Sequence, residues 1–400
     1  MTEKNLNEKT EATYLKSAFL KGYRSIHDTK VSFEPGLNII IGKNGSGKSN
    51  LIRFLYNSLN FNFSGLGNAS SEIQLVYHGD NLIKILTHEE ARQISSVEFF
   101  SKEREFSIKK GNKNLLTTNN ENELNDFLSN NRLNNVNILI KHGLPENLEL
   151  VEIPINISVQ SNLRKKARDE NLPYFIRTFL LQLVPKLYNK ELYKKVDENW
   201  VKKNVISIFD FLIVEKIKPY LINFTPITDI RLNNFNVVVD KENQDCLINN
   251  MFIEYQVDNK WYIFSNLSDG TQRLFYLLCD IAIPAQSLFT KNASSTSYNS
   301  YNKIVFLEEP ELGVHPHQLF KIMQFIKEQS KNIQIIITTH SPKCLDILSE
   351  NELERILICS MTKKGTQLKN LTKEQKKKAT SYIKTTGFLS DYWFHSDLES

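Results

Sequence analysis

Paired cysteines are missing from this sequence. Its four cysteines stand singly at Cys246, Cys279, Cys344 and Cys359. No two have the spacing of zinc ligands or of a redox pair, which excludes a disulfide scaffold and points to buried thiols in a reducing compartment. A leader is also lacking. The opening "MTEKNLNEKTEAT" has no apolar core and reads as a frayed tail over residues 1–13, so the expected location is the cytoplasm. No membrane span is legible either. The most apolar long stretch, "VISIFDFLIVEKIKPYLI", carries Asp210, Glu215 and two lysines and is expected to be a core helix. Sustained a/d heptads are absent, and Pro173, Pro185 and Pro219 interrupt the helical middle, which excludes a long coiled-coil arm.

What is present is globular. Hydrophobic residues make up 40% of the 400 residues and charged residues 24%, ample for a core. A net charge of +5 permits nucleic-acid contact without requiring it. The runs "YLKSAFLKGYRSI", "TKVSFEP" and "LNIIIG" read as strands. Short alternating runs follow from Ser71 to Thr118, and the stretch from Asn119 starts as an Asn-rich loop and later turns helical and basic. Strand signals return in "NVVVD", "MFIEYQV" and "KWYIFSN", before the helical "GTQRLFYLLCDIAI". Towards the end, "KIVFLEE", "HQLFKIMQFIKEQS", "IQIIITTH" and "PKCLDILS" alternate strand and helix, which is the grammar of a parallel sheet.

"GKNGSGKS", Gly42 to Ser49, fits G-x-x-x-x-G-K-[ST] between a strand and a helix. Glycines let the backbone wrap a phosphate, and the helix aims its positive end at the anion. Lys48 is expected to reach the β- and γ-phosphates of ATP, and Ser49 to hold Mg²⁺. Gly42, Asn44, Gly45, Ser46, Gly47 and Asn50 complete the expected nucleotide contacts. In "IVFLEEPELGVHP" an apolar strand runs directly into two acids. In a P-loop fold such a strand end faces the metal and the γ-phosphate. Glu308 is therefore assigned to Mg²⁺, and Glu309 to orienting or deprotonating the attacking water.

With "FLKGYRSIHD", "NIIIGKNGSGKSNLI", "LSDGTQRLFYLL", "IVFLEEPELGVHPHQ" and "IIITTHSP" in that order, the chain resembles an ABC-type ATPase head of the SMC/Rad50/RecF branch. Within it, the chain is most similar to bacterial AAA-family ATPases related to the ATPase part of OLD nucleases. The resemblance implies an α/β P-loop NTPase head with a β-subdomain and an inserted helical lobe. It also implies that "LSDGTQ" is a signature segment reaching a nucleotide held by a second copy, through Ser268, Asp269, Gly270 and Gln272. From the residues alone, Ser268 can cap the helix that starts there. By resemblance, His340 is the switch histidine at the γ-phosphate, "ELGVHP" is the loop through which paired sites sense each other, and Arg24 approaches the nucleotide. The family's Walker B aspartate is replaced by Glu308, and its metal-reading glutamine is Gln74 or Gln160.

The head is expected over 14–118 and 226–400, with the inserted lobe at 119–225. Arg164, Lys165, Lys166, Arg168, Arg177, Lys194, Lys195, Lys202 and Lys203 on the lobe, and "KKGTQLKNLTKEQKKK" near the end, suit phosphate backbones. The segment after "TTHSP" leaves no room for an OLD-type nuclease, and no HNH-like His/Asn cluster is present. The expected function is an ATP-hydrolysing homodimer that signals to a separately encoded effector, a nuclease or toxin, in anti-phage defence. A RecF-like DNA-repair ATPase and an ATP-gated scaffold with little turnover are the alternatives.

Overall fold

The structure is a computed structural model; it describes residues 13–60, 66, 69–77, 81–93, 100–130, 137–142, 156–157, 173–187, 197–240, 242, 245–284 and 303–394. The chain divides into two compact units, residues 1–142 with 299–400 and residues 143–298.

The first unit opens with β1 (Tyr14–Tyr23), β2 (Ile26–Ser32), β3 (Leu37–Ile41) and α1 (Lys48–Leu59). It continues through β4 (Ser70–Tyr77), β5 (Asn81–Gln93), β6 (Phe100–Lys110), β7 (Lys113–Thr118), α2 (Glu121–Asn130) and β8 (Asn137–His142). The second unit holds β9 (Asn156–Ile157), α3 (Tyr174–Leu187), α4 (Glu198–Phe209), α5 (Lys218–Phe224), β10 (Asp229–Leu232), β11 (Asn236–Asp240), β12 (Asp245–Asn249), β13 (Ile253–Val257), β14 (Lys260–Ile263) and α6 (Asp269–Ala282). The first unit resumes with β15 (Lys303–Glu308), α7 (Pro316–Gln329), β16 (Gln334–Thr339), β17 (Ile356–Thr362), β18 (Gly365–Asn370), α8 (Lys373–Thr386) and α9 (Leu389–Phe394).

The central sheet has the order β18-β17-β3-β16-β15-β8. All neighbours pair parallel except the β17–β18 hairpin. Parallel strands are covered on both faces, which is why "LNIII" of β3 and "QIIITT" of β16 are buried at every position. Register then does the positioning. Thr339 lies opposite Ile41, and Glu308 opposite Thr338. The carboxyl ends of β3, β15 and β16 therefore finish side by side, the edge where open α/β sheets bind ligands.

A second sheet, β2-β1-β4-β5-β6-β7, is antiparallel. Its alternating residues Leu15, Ala18, Leu20 and Ile73 join Leu51, Phe54 and Leu55 of α1 in one buried cluster. Leu124 and Leu128, one turn apart on α2, complete it.

Several expectations change here. Helix α2 occupies a stretch expected to be a loop. The Asn120 side chain accepts from the Asn122 N–H and starts it, and the leucine pair supplies its buried stripe. "NILIKH" forms β8, an edge strand of the central sheet, so residues up to 142 stay with the first unit. The expected core helix is broken into α4, a π-helical segment Asp210–Val214, and α5 with Pro219 in its first turn. "PKCLDILS" is a 3₁₀ helix, Pro342–Ile347. The second unit also takes in strands: α3 packs with α4 and α6, and α4 with β11, which draws residues 229–283 in with the helices. The lobe expected at 119–225 therefore differs at both ends from the compact unit 143–298. None of the four cysteines forms a disulfide, and all are buried. No helix among the described residues is long and apolar enough to cross a membrane.

Candidate functional site

The loop from β3 to α1 is built around glycine. Gly47 has φ 101°, and a Cβ there would come within 2.0 Å of Thr366 Oγ1 on β18. At Gly42 a Cβ would come within 2.1 Å of the Cys359 carbonyl on β17. The β17–β18 hairpin therefore backs the loop closely. Cys359 Sγ lies 3.5 Å from the Ser46 carbonyl, and burial pushes that thiol's pKa up, so it donates as S–H.

Helix α1 starts at Gly47 with no side-chain cap and no acid in its first turn. Its leading N–H groups and positive dipole end are left for another acceptor. Ser46 Oγ is buried and has no hydrogen-bond partner among the described residues. The ammonium of Lys48 is folded onto the loop, donating to Gly42 O at 2.7 Å and Lys43 O at 3.0 Å. An uncapped helix start, an orphaned buried hydroxyl and a cation resting on backbone carbonyls fit a phosphate chain.

Ser49 Oγ donates to Glu308 Oε2 at 2.9 Å, across 259 residues of sequence. A hydroxyl touching a carboxylate at the strand edge is a hard-oxygen donor set suited to Mg²⁺. Glu309 follows at φ 48°, a left-handed conformation that costs an ordinary residue about 1–3 kcal/mol. Its N–H donates to Thr338 O at 2.8 Å, so the turn grows straight out of the sheet. Glu309 Oε1 lies 3.5 Å from His340 Nδ1. Lys48, Ser49, Glu308, Glu309 and His340 are thus assembled on one unit. Arg24 is beside them, with φ 51°; its Nη1 donates to Asn50 Oδ1 at 3.2 Å. Asn50 in turn donates to Ser25 Oγ at 2.9 Å. Asn44 and Gly45 are exposed on the outer turn of the loop.

The segment "LSDGTQ", expected to act as a signature, lies on the second unit. Ser268 is the N-cap of α6, accepting from the Thr271 N–H at 3.4 Å. Ser268 and Asp269 are exposed and Gly270 is half-buried. Gln272 differs from the expectation of an outward contact. It is buried, and its Nε2 donates to Leu267 O at 2.8 Å and Ser265 O at 3.3 Å, holding its own turn. Gln74 sits half-buried on β4 opposite Ser17, and Gln160 lies outside the described residues. So do Arg164, Lys165, Lys166, Arg168, Lys194 and Lys195. Arg177 stacks over its neighbour Tyr174 at 5.7 Å.

Sequence reasoning passed over Glu311, whose side chain is 8% exposed and points at His340, and over Thr366 behind Gly47. The third acid of "EEPE" was the available signal for the first. Nothing local marked the second, because its contact runs between distant segments.

A family model described as "AAA domain, putative AbiEii toxin, Type IV TA system" matches residues 37–346. The DNA replication and repair protein RecF of Caldanaerobacter subterraneus subsp. tengcongensis is 24% identical over 216 residues, covering 50% of this chain and 51% of RecF. The retron Ec83 probable ATPase of Escherichia coli is 36% identical over 86 residues, covering 21% of this chain and 15% of that protein. The chain thus spans about half or less of the length of these curated relatives. The solved SMC head bound to the C-winged helix domain of ScpA superposes with TM-score 0.51 at 15% identity, covering 91% of this chain and 99% of that one. That likeness shows the fold, that of an SMC head.

Proposed function

The chain belongs to the AAA-domain family matched over residues 37–346, and on that premise we propose that it binds and hydrolyses ATP as the motor of a two-copy assembly. The observation that carries this reading is the contact between Ser49 and Glu308 at 2.9 Å, which joins the glycine loop to the acidic strand end.

In this reading the triphosphate lies along the loop from Gly42 to Ser49, against the uncapped start of α1. Lys48 leaves its two backbone carbonyls for phosphate oxygens, exchanging neutral acceptors for charged ones. Ser49 and Glu308 would hold Mg²⁺, which supplies charge neutralisation between the β- and γ-phosphates. Glu309 orients and deprotonates the attacking water, and His340 donates towards the γ-phosphate side. Attack is in line, and the leaving oxygen stays on ADP. Arg24 lies at the rim of the same loop. Ser268, Asp269 and Gly270 of a second copy complete the pocket, so ATP closes the pair and its loss reopens it.

The output is read as a signal to a separately encoded effector, a nuclease or toxin, in anti-phage defence. Similarity to a retron ATPase supports that reading. Similarity to RecF favours a second one, a DNA-directed ATPase. Exposed lysines at Lys363, Lys364, Lys369, Lys373 and Lys377 would suit phosphate contacts in that reading. Phosphate release with ATP–Mg²⁺ is the test, run alone, with duplex DNA, and with the products of neighbouring genes. Turnover raised several-fold by DNA favours the second reading. Co-purification with a neighbour favours the first. No turnover under any condition, with ATP still bound, leaves the gated scaffold.

A further inference from the structure

Glu311 lies two residues beyond Glu309, in the turn that leaves the central sheet. Its carboxylate points back to the end of β16. Oε1 accepts from Thr339 Oγ1 at 2.5 Å and from the His340 N–H at 3.3 Å, and lies 3.6 Å from His340 Nδ1. Oε2 faces the Cys344 thiol at 3.9 Å. That thiol is buried, and burial first and Glu311 second raise its pKa, so it remains an S–H donor. Pro310, just before Glu311, is buried, and the Glu311 carbonyl accepts from the Val314 N–H at 3.2 Å. One side chain thus ties the loop 310–314 to both the backbone and the ring of His340.

The imidazole is consequently placed between two acids: Glu309 Oε1 lies 3.5 Å from the same Nδ1. That nitrogen faces both carboxylates, and Nε2 is turned to the other side of the ring.

We propose that Glu311 is a positioning residue for hydrolysis: it fixes the ring of His340, and through that ring the Glu309 carboxylate. The proposal rests on the ATPase reading and adds to it a residue that touches neither nucleotide nor water. It also gives the loop 310–314 a mechanical route to the site, since any shift of that loop moves the anchor of His340.

The test is a double-mutant cycle on the full chain with Glu311→Ala, His340→Ala and the pair. Glu311→Ala is expected to lower kcat about 10–100-fold, the usual effect of removing an outer carboxylate that orients a histidine. KM for ATP–Mg²⁺ should stay within about threefold, because the ground-state contacts are untouched. In the His340→Ala background the same change should cost almost nothing further, as expected for residues that act as a unit. Multiplying losses, or a loss confined to KM, would overturn the proposal. A second readout does not need turnover. Long-range ¹H–¹⁵N spectra of histidine-labelled protein, assigned with His340→Ala, should show the His340 ring signals displaced in Glu311→Ala relative to the wild type. An unchanged pattern overturns the proposal even if the wild type hydrolyses nothing, an outcome that would itself count against the ATPase reading alone. Should Glu311→Ala fail to fold, Glu311→Gln, which keeps the shape and one acceptor, carries both measurements with a smaller expected loss.

Discussion

The two compact units hold their polar residues in opposite ways. In the first, they meet across long sequence distances: Ser49 reaches Glu308, and Glu311 reaches Thr339. In the second, the candidate residues serve their own helix. Ser268 caps α6, and Gln272 pins the turn before it. Parallel strands explain the first pattern, since strands in register end together and bring their following loops to one edge. A helix cap explains the second, since it needs only local sequence. One unit thus gathers its candidate residues from distant segments, while the other presents an exposed, capped helix start.

The largest expected effect breaks the first unit's chemistry. Glu309→Gln should slow phosphate release by about 10²–10⁴-fold while leaving ATP binding within a fewfold of wild type. Near-normal turnover in that variant would remove Glu309 from its assigned role. Lys48→Ala should follow, with turnover down about 10²–10³-fold and ATP binding weakened as well, read by nucleotide titration. Both changes leave the second unit untouched, so thermal unfolding should shift little.

Gly47→Ala attacks the scaffold instead. The new Cβ meets Thr366 Oγ1 and sits at φ 101°, so destabilisation of about 1–3 kcal/mol is expected in denaturant melts. Ser268→Ala sharpens the other side of the comparison. Loss of the cap should cost about 0.5–2 kcal/mol of stability. If the hydroxyl also serves a second copy's nucleotide, turnover must fall by more than the stability loss explains.

The smallest effect concerns acid. Burial would raise the Glu352 carboxyl, but the 2.6 Å contact from Lys327 and hydrogen bonds from Ser349 outweigh it and hold the group below its usual range. A depressed folded pKa stabilises above the unfolded carboxylate range, and that stability is lost as pH falls through it. Lys327→Met should therefore cost roughly 0.5–1 kcal/mol at neutral pH, and the difference from wild type should fade below about pH 4.

Much of the first unit was legible because its signals are local. "GKNGSGKS" and "FLEE" each carry strand, turn and chemistry within a few residues. The Ser268 cap was legible for the same reason. Helix α2 was obscured by its asparagines, whose turn preference masks the two leucines one turn apart. Strand β8 is short, and its identity comes from pairing with β15, far along the chain. The third acid of "EEPE" marked Glu311 without showing its partner, and Thr366 acts only through contacts between distant segments, which no spacing rule reveals. Gln272 looked like a surface residue by its place in the motif. It is buried because its amide is the group that satisfies two carbonyls of the preceding turn.

The claim on which the rest depends is that the glycine loop of one copy and the Ser268 helix start of another enclose a single triphosphate. Light scattering of Glu309→Gln, with and without ATP–Mg²⁺, tests it most directly. The predicted result is a change from one copy to two on adding nucleotide, abolished when Ser268→Arg is introduced into the same chain. An unchanged mass at saturating ATP, or pairing that ignores Ser268→Arg, would contradict it.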